Sequence, residues 1–438
     1  MRTTGSASSF NGSGSVATRA TTKFGVLAQC RSVQIEAIII GLAAVALRFV
    51  PHARILPHLH NAVHVAARSH VAHAHMPALL LLFTLPLLGL IAGAVSIRQQ
   101  IGDPSFRSRL GMTFAEGFTI ESFDVRAMRR RPGSRHVFSF EIVAANPLTG
   151  KQSSIALVCK RDTTSAAGKA IREFEAMRLL WDRGFGRDEQ FKIPEPVQHF
   201  PDLSLILQGR ARGSKLRTYL GRASEASLRH MRMTGLWLAK LHSLPMASTQ
   251  ACAYADDTTV LRVHVAALRA DQPGFAGELL ERAAVVEQAF AGFQDVPAAM
   301  VHGDFHPDHI FVDKACITVI DFERFCVGDP ARDLGSFIAH MRTMAGLSGR
   351  SPDAANREIY AFLTSYFRAI PRMQAAIIAG RIAPYATLAS IEALYYVASV
   401  LKVTDSDRLA MYANCVREAA SCAAEFTTAL EAGQAASA

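Results

Sequence analysis

A chain of 438 residues is too long for one small core and implies two or three structural units. Half of its residues are hydrophobic and 19% are charged, which excludes a chain disordered throughout. The net charge of +10 suits an acidic partner, or marks the flanks of membrane segments; the lack of RNP-type motifs, zinc-finger spacing and basic-region heptads argues against nucleic acid.

Residues 1–32, rich in Ser, Thr, Gly and Arg, read as a disordered basic tail. Two apolar blocks follow, at 33–50 and 76–97, of which the second is uncharged and long enough to span a bilayer. With Arg19, Lys23 and Arg31 before the first block and Arg98, Arg107 and Arg109 after the second, the positive-inside rule predicts a transmembrane hairpin over 33–97. The tail and the large C-terminal part would then face the cytoplasm, as in a bacterial inner membrane protein. The connecting loop holds seven histidines between His52 and His75, whose spacing matches no closed metal site. Residues 98–118 read as a linker.

From Phe118 the pattern turns to strands: FTIESFDVRAM, HVFSFEIVAA and SSIALVCKR, separated by RRRPGSR and NPLTGKQ. AAGKAIREFEAMRLLW, 166–181, is an amphipathic helix with Ile171, Phe174, Met177 and Leu180 on one face. Glu173 and Glu175 lie on different faces of it. LSLILQG is a further apolar strand, SLRHMRMTGLWLAKLHSLP a helix, and 256–298 a helical, variable stretch. Beyond Phe337 the chain is helical by pattern. The Ile382–Val403 run is apolar enough to raise a third membrane span, but Glu392 and its tyrosines favour a buried helix. The seven cysteines (Cys30, Cys159, Cys252, Cys316, Cys326, Cys415 and Cys422) form no CxxC and read as reduced thiols.

The stretch MVHGDFHPDHIFVDKACITVIDFERFCVGDPARDLGSF, 300–337, carries the chemistry. Two apolar runs, Ile310–Val312 and Ile317–Ile320, are joined by a turn at Asp313 and Lys314, with Asp304 before the first and Asp321 directly after the second. A hairpin brings the two carboxylates to one end of a small sheet, an arrangement that suits a hard cation bridging to phosphate oxygens.

HGD, a second ligand position five residues on, then IDFE and GDPARDLGSF together resemble the aminoglycoside phosphotransferase and choline kinase branch of the protein-kinase-like superfamily, over about residues 119–400. The resemblance implies a bilobal α+β fold, with a small β lobe at 119–208 and a helical lobe at 209–438. It implies an ATP-dependent kinase using Mg²⁺ or Mn²⁺ and a small-molecule hydroxyl acceptor: sugar-like, amino-alcohol or lipid-linked. By the same resemblance Asp304 is the catalytic carboxylate that accepts the proton of the attacking hydroxyl or orients it, and Asp321 a metal ligand. Lys160 is the strand lysine that meets the nucleotide phosphates, Glu173 its partner, and Gln208 to Arg210 the place where the lobes join beside adenine. His302 and Asp333 would brace the loop, with Asp329 as helper or helix cap. Three features depart from the family. His309 stands where Asn is usual, though lipopolysaccharide heptose kinases look similar there; it is a metal ligand or a phosphate contact, with Asp308 as an alternative oxygen donor. RRRPGSRH stands where a glycine-rich loop belongs, and its arginines either replace that loop's amides or form a solvated turn. The membrane blocks are the third. The rival reading is a pseudokinase scaffold that binds nucleotide without turnover.

Overall fold

The computed structural model describes residues 109–110, 119–129, 135–146, 148–162, 168–246, 254–293 and 298–435. The expected tail, membrane hairpin and most of the linker lie outside these residues.

The three predicted strands form as β1 (Thr119–Arg129), β2 (His136–Ala145) and β3 (Gln152–Arg161). With β5 (Pro196–Phe200) and β6 (Leu205–Gly209) they make a sheet of order β1-β2-β3-β6-β5, antiparallel at every pairing. Alternation along β2 buries Phe138, Phe140, Ile142 and Ala144. Helix α1 (Lys169–Leu180) packs on this sheet through Phe174, Met177 and Leu180. The Asp162 carboxylate accepts the Ala170 N–H in its first turn, at 2.9 and 3.1 Å. Glu173 is buried on α1 while Glu175 is exposed, so only Glu173 turns toward the sheet.

The second lobe is helical: α2 (Glu225–His242), α3 (Tyr254–Asp271), α4 (Ala276–Gly292), α5 (Ala331–Leu347), α6 (Pro352–Ala369), α7 (Arg372–Ala379), α8 (Ile382–Tyr395) and α9 (Ser406–Ala435). Ser224 caps α2, its hydroxyl accepting the Ser227 N–H at 3.2 Å. The expected hairpin is present as β9 (Ile310–Asp313) and β10 (Cys316–Val319), turning at Lys314 with φ 57°. Short strands β4 (Phe191–Lys192) and β7 (Ser214–Lys215) flank it, and β8 (Ala299–Val301) pairs with β11 (Cys326–Gly328).

Helix α8 is the apolar run that raised a third membrane span. Ile382, Tyr385, Ala386, Ile391 and Leu394 are all buried in the core. Among the described residues no single helix is long and apolar enough to cross a membrane; a bent pair, Arg372–Ala379 with Ile382–Val400, meets that test only jointly and is broken by 47°. Cys159, Cys316, Cys415 and Cys422 are free thiols, whereas Cys326 is disulfide-bonded, a departure from the expected all-reduced set.

Candidate active site

The two acids of the central stretch are each followed by a phenylalanine, and that alternation sets their orientation. Phe305 and Phe322 are fully buried around Trp237, at ring separations of 5.9 and 6.4 Å. Burial of a large aromatic ring contributes about 1.5–3 kcal/mol each. The preceding carboxylates, Asp304 and Asp321, are left only partly covered at the cleft.

Backbone hydrogen bonds then fix the loop. The Asp333 carboxylate accepts the His302 N–H at 2.7 Å and the Gly303 N–H at 2.9 Å. His302 Nδ1 accepts the Asp304 N–H, so its Nε2 carries the proton and donates to the Ile320 carbonyl at 3.0 Å. One imidazole thus ties the loop before β9 to the residue before Asp321. Burial pushes the His302 pKa down, consistent with this neutral form. Asp333 is also met by His242 Nε2 at 3.1 Å, whose Nδ1 accepts the Tyr366 hydroxyl at 2.8 Å. His302 and Asp333 therefore sit where the resemblance puts them. Asp329 is a local cap, accepting the Ala331 N–H at 2.9 Å, with Arg381 3.6 Å away.

Gly303 has φ 78°, and a Cβ there would collide with the Arg324 carbonyl. The glycine of HGD is thus required by the close passage of the loop after β10. Asp321 itself has φ 75°, a left-handed conformation that costs a non-glycine residue about 1–3 kcal/mol. It is held there by its partners. Lys160 Nζ stands 2.5 Å from Glu173 Oε1 and 3.0 Å from Asp321 Oδ1. Burial works against the charged form of both Lys160 and Asp321, yet for the lysine the carboxylates of Asp321 and Glu173, and for Asp321 the cations of Lys160 and Arg135, more than offset it. The lysine pKa is raised and the Asp321 pKa is held well below the ordinary carboxylate range.

Arg135, directly before β2, is the residue that sequence reading did not single out. Its guanidinium is buried, 2.6 Å from Glu173, 2.5 Å from Glu323 and 3.6 Å from Asp321. Burial opposes its charge, but Glu173, Glu323 and Asp321 raise its pKa above the usual value. Within RRRPGSRH, Arg135 is buried against carboxylates and so is not part of a solvated turn.

His309 stands between the two acids. Its Nδ1 faces the Asp304 carbonyl at 3.0 Å, a contact only a donor can make, which leaves Nε2 turned to Asp321 Oδ2 at 3.4 Å. Asp308 does not join them; it pairs with Lys215 at 3.2 Å and Arg217 at 3.3 Å. Two carboxylates and an imidazole nitrogen are a donor set that fits a divalent cation. At the lobe junction Gln208 is buried, and its Oε1 has no hydrogen-bond partner, an acceptor open to a ligand's donor. Arg210 does not join the cluster. Its guanidinium pairs with Glu141 at 2.6 Å on the exposed side of the sheet, and its N–H donates to the Ala156 carbonyl.

The profile of the phosphotransferase enzyme family (APH) matches residues 148–375, just over half of the chain. Among solved structures the chain is similar to an ethanolamine kinase of Plasmodium vivax at 11% identity, covering 68% of this chain and 82% of that one, with a TM-score of 0.45. It is similar to a choline/ethanolamine kinase family protein of Mesorhizobium loti at 13% identity, with 74% and 97% covered and a TM-score of 0.47. A macrolide 2'-phosphotransferase of Brachybacterium faecium is 18% identical, with 70% and 97% covered and a TM-score of 0.41. No curated protein sequence matches the chain. The family match over just over half of the chain makes it a member of the phosphotransferase enzyme family (APH), and so a phosphotransferase.

Proposed function

We propose that this phosphotransferase takes ATP with Mg²⁺ or Mn²⁺ and moves the γ-phosphate to a hydroxyl of a small sugar-like, amino-alcohol or lipid-linked acceptor. The observation that carries the reading is the meeting of Lys160, Glu173 and Asp321, from β3, α1 and the loop after β10, beside the loop that bears Asp304. Phosphoryl transfer asks a protein mainly for positioning and charge neutralisation.

Lys160, held by Glu173, presents its ammonium to the α and β phosphate oxygens. Arg135 adds a second fixed cation at the same carboxylates, in the place of a glycine-rich loop's amides. Gln208 offers its unpaired Oε1 to the adenine amino group. Asp321 and His309 would hold the divalent ion, which when bound neutralises charge on the phosphate oxygens. Asp304, its backbone fixed by His302 and His309, orients the acceptor hydroxyl and takes its proton. The apolar blocks at 33–50 and 76–97 favour an acceptor met at the cytoplasmic face of a bacterial inner membrane.

The test is transfer of label from γ-labelled ATP by the full-length protein, offered sugars, amino alcohols and lipid-linked sugars with Mg²⁺ or Mn²⁺. Label on an acceptor hydroxyl, lost in Asp304→Asn, supports the reading. ATP that binds but never gives up its γ-phosphate in either ion contradicts it.

A further inference from the structure

The loop that carries Asp304 holds more imidazole than phosphoryl transfer uses. The rings of His306 and His309 lie 3.7 Å apart, and His340 from α5 stacks on His306 at 4.5 Å. Asp304 Oδ2 is 3.9 Å from His306 Nε2 and 3.7 Å from His309 Nδ1. One ligand atom from each of Asp304, His306 and His309 lies within 4.8 Å of the other two. Small side-chain rotations close such a triangle about one ion with bonds of about 2.0–2.2 Å.

We infer that Asp304, His306 and His309 form a binding site for a divalent transition ion of the Zn²⁺ or Co²⁺ class, and that its occupation stops phosphoryl transfer. Two imidazoles and one carboxylate are the donors of a borderline ion, whereas Mg²⁺ prefers oxygen throughout. The three side chains are mostly buried yet not sealed, which leaves a fourth position for water. Asp321 stands outside the ligand set: its Oδ1 is engaged by Lys160 and its Oδ2 faces the other nitrogen of His309, Nε2, at 3.4 Å.

The protons balance. His309 ligates through Nδ1, the nitrogen that faces Asp304 Oδ2; it gives up its bond to the Asp304 carbonyl and carries its ring proton on Nε2, toward Asp321 Oδ2 at 3.4 Å. His306 Nδ1 accepts the Asp308 N–H at 3.2 Å; coordination through Nε2 moves the ring proton to Nδ1 and gives up that long bond. An ion so held takes both the proposed base and the proposed second ligand of the catalytic metal. Binding stands independently of the proposed function; the inhibition rests on it.

The experiment titrates metal-free, full-length protein with Co²⁺ alone, following bound metal by equilibrium dialysis and the visible absorption of four-coordinate Co²⁺. The seven histidines at 52–75 are common to every variant, so the readout is a difference. The expected result is one Co²⁺ equivalent fewer, with the corresponding absorption lost, in His306→Gln and in the isosteric Asp304→Asn. Equal uptake and equal spectra in the wild type and both variants overturn the site. The wild type's Mg²⁺-supported ATP turnover should fall as that equivalent fills and return on chelation; turnover that persists at full occupancy overturns the inhibition. Absence of turnover at any metal composition would defeat the kinase mechanism proposed above, and with it the inhibition, while the Co²⁺ count still decides the site.

Discussion

Arg135 supplies a second buried cation to a group of acids that Lys160 alone would leave underneutralised. Glu173, Asp321 and Glu323 all face it, and among the described residues Glu323 has the partly exposed Lys169, 3.8 Å away, as its further cation. Removing one partner from a buried charged group leaves the others desolvated and unpaired, at about 3–5 kcal/mol. Arg135→Met should therefore lower unfolding free energy by about that amount in urea titrations, and Arg135→Lys by clearly less. The histidines around Asp304 make a pH prediction. Burial lowers the pKa values of His302, His306 and His340, so the unfolded chain binds their protons first as pH falls. Stability is then fully present above about pH 6.5 and is lost below it, by up to about 1.4 kcal/mol per pH unit for each ring. Thermal unfolding followed from about pH 7.5 down to about 5.5 should show this slope, and His340→Gln should flatten it. At this scale Lys160, Glu173, Asp304 and Asp321 were singled out through the family resemblance, since helical periodicity alone only put Glu173 and Glu175 on different faces. Arg135 was not, since the same letters in a Pro-Gly turn spell a solvated basic loop. Gln208 and Arg210 stand on either side of Gly209, where β6 ends, and local pattern gave no sign that one side chain is buried and the other turned to Glu141.

Elements approach each other most closely where a glycine allows it. Gly235 on α2 lies against the Phe362 carbonyl of α6, with the Tyr366 N–H side of the same helix next to it. A Cβ there forces the two helices apart, so Gly235→Ala should cost about 1–3 kcal/mol, measured as a fall in the urea midpoint at unchanged slope. Gly303→Ala carries two penalties at once, a left-handed φ and a collision with the Arg324 carbonyl. Because those two segments carry Asp304 and Asp321, the variant should lose ATP turnover even where it remains folded by circular dichroism. The hairpin of β9 and β10, the three long strands and α1 were readable from alternation and helical periodicity. The two- and three-residue strands β4, β7, β8 and β11 were not, because so few residues show no period and their pairing is decided by long-range packing. Helix α8 illustrates the opposite case: its apolar run admits both a membrane span and a core, and the burial of Ile382, Ile391 and Leu394 selects the core.

Across the whole molecule, charge joins the two lobes. Arg135 comes from the residue before β2, Lys160 and Glu173 from β3 and α1, and Asp321 and Glu323 from the loop after β10 on the helical side. This convergence of residues far apart in sequence could be anticipated only through the family resemblance, since no local pattern encodes it. A triphosphate with its metal ion would enter this same set of charges, which makes nucleotide affinity and turnover separable by substitution. The most direct measurement is kcat and nucleotide Kd in matched preparations of the wild type, Lys160→Met and Asp304→Asn. The account predicts that Asp304→Asn loses about 10²–10⁴ of kcat with nucleotide affinity nearly unchanged, while Lys160→Met also binds ATP more weakly. An Asp304→Asn protein that turns over ATP at the wild-type rate would contradict it.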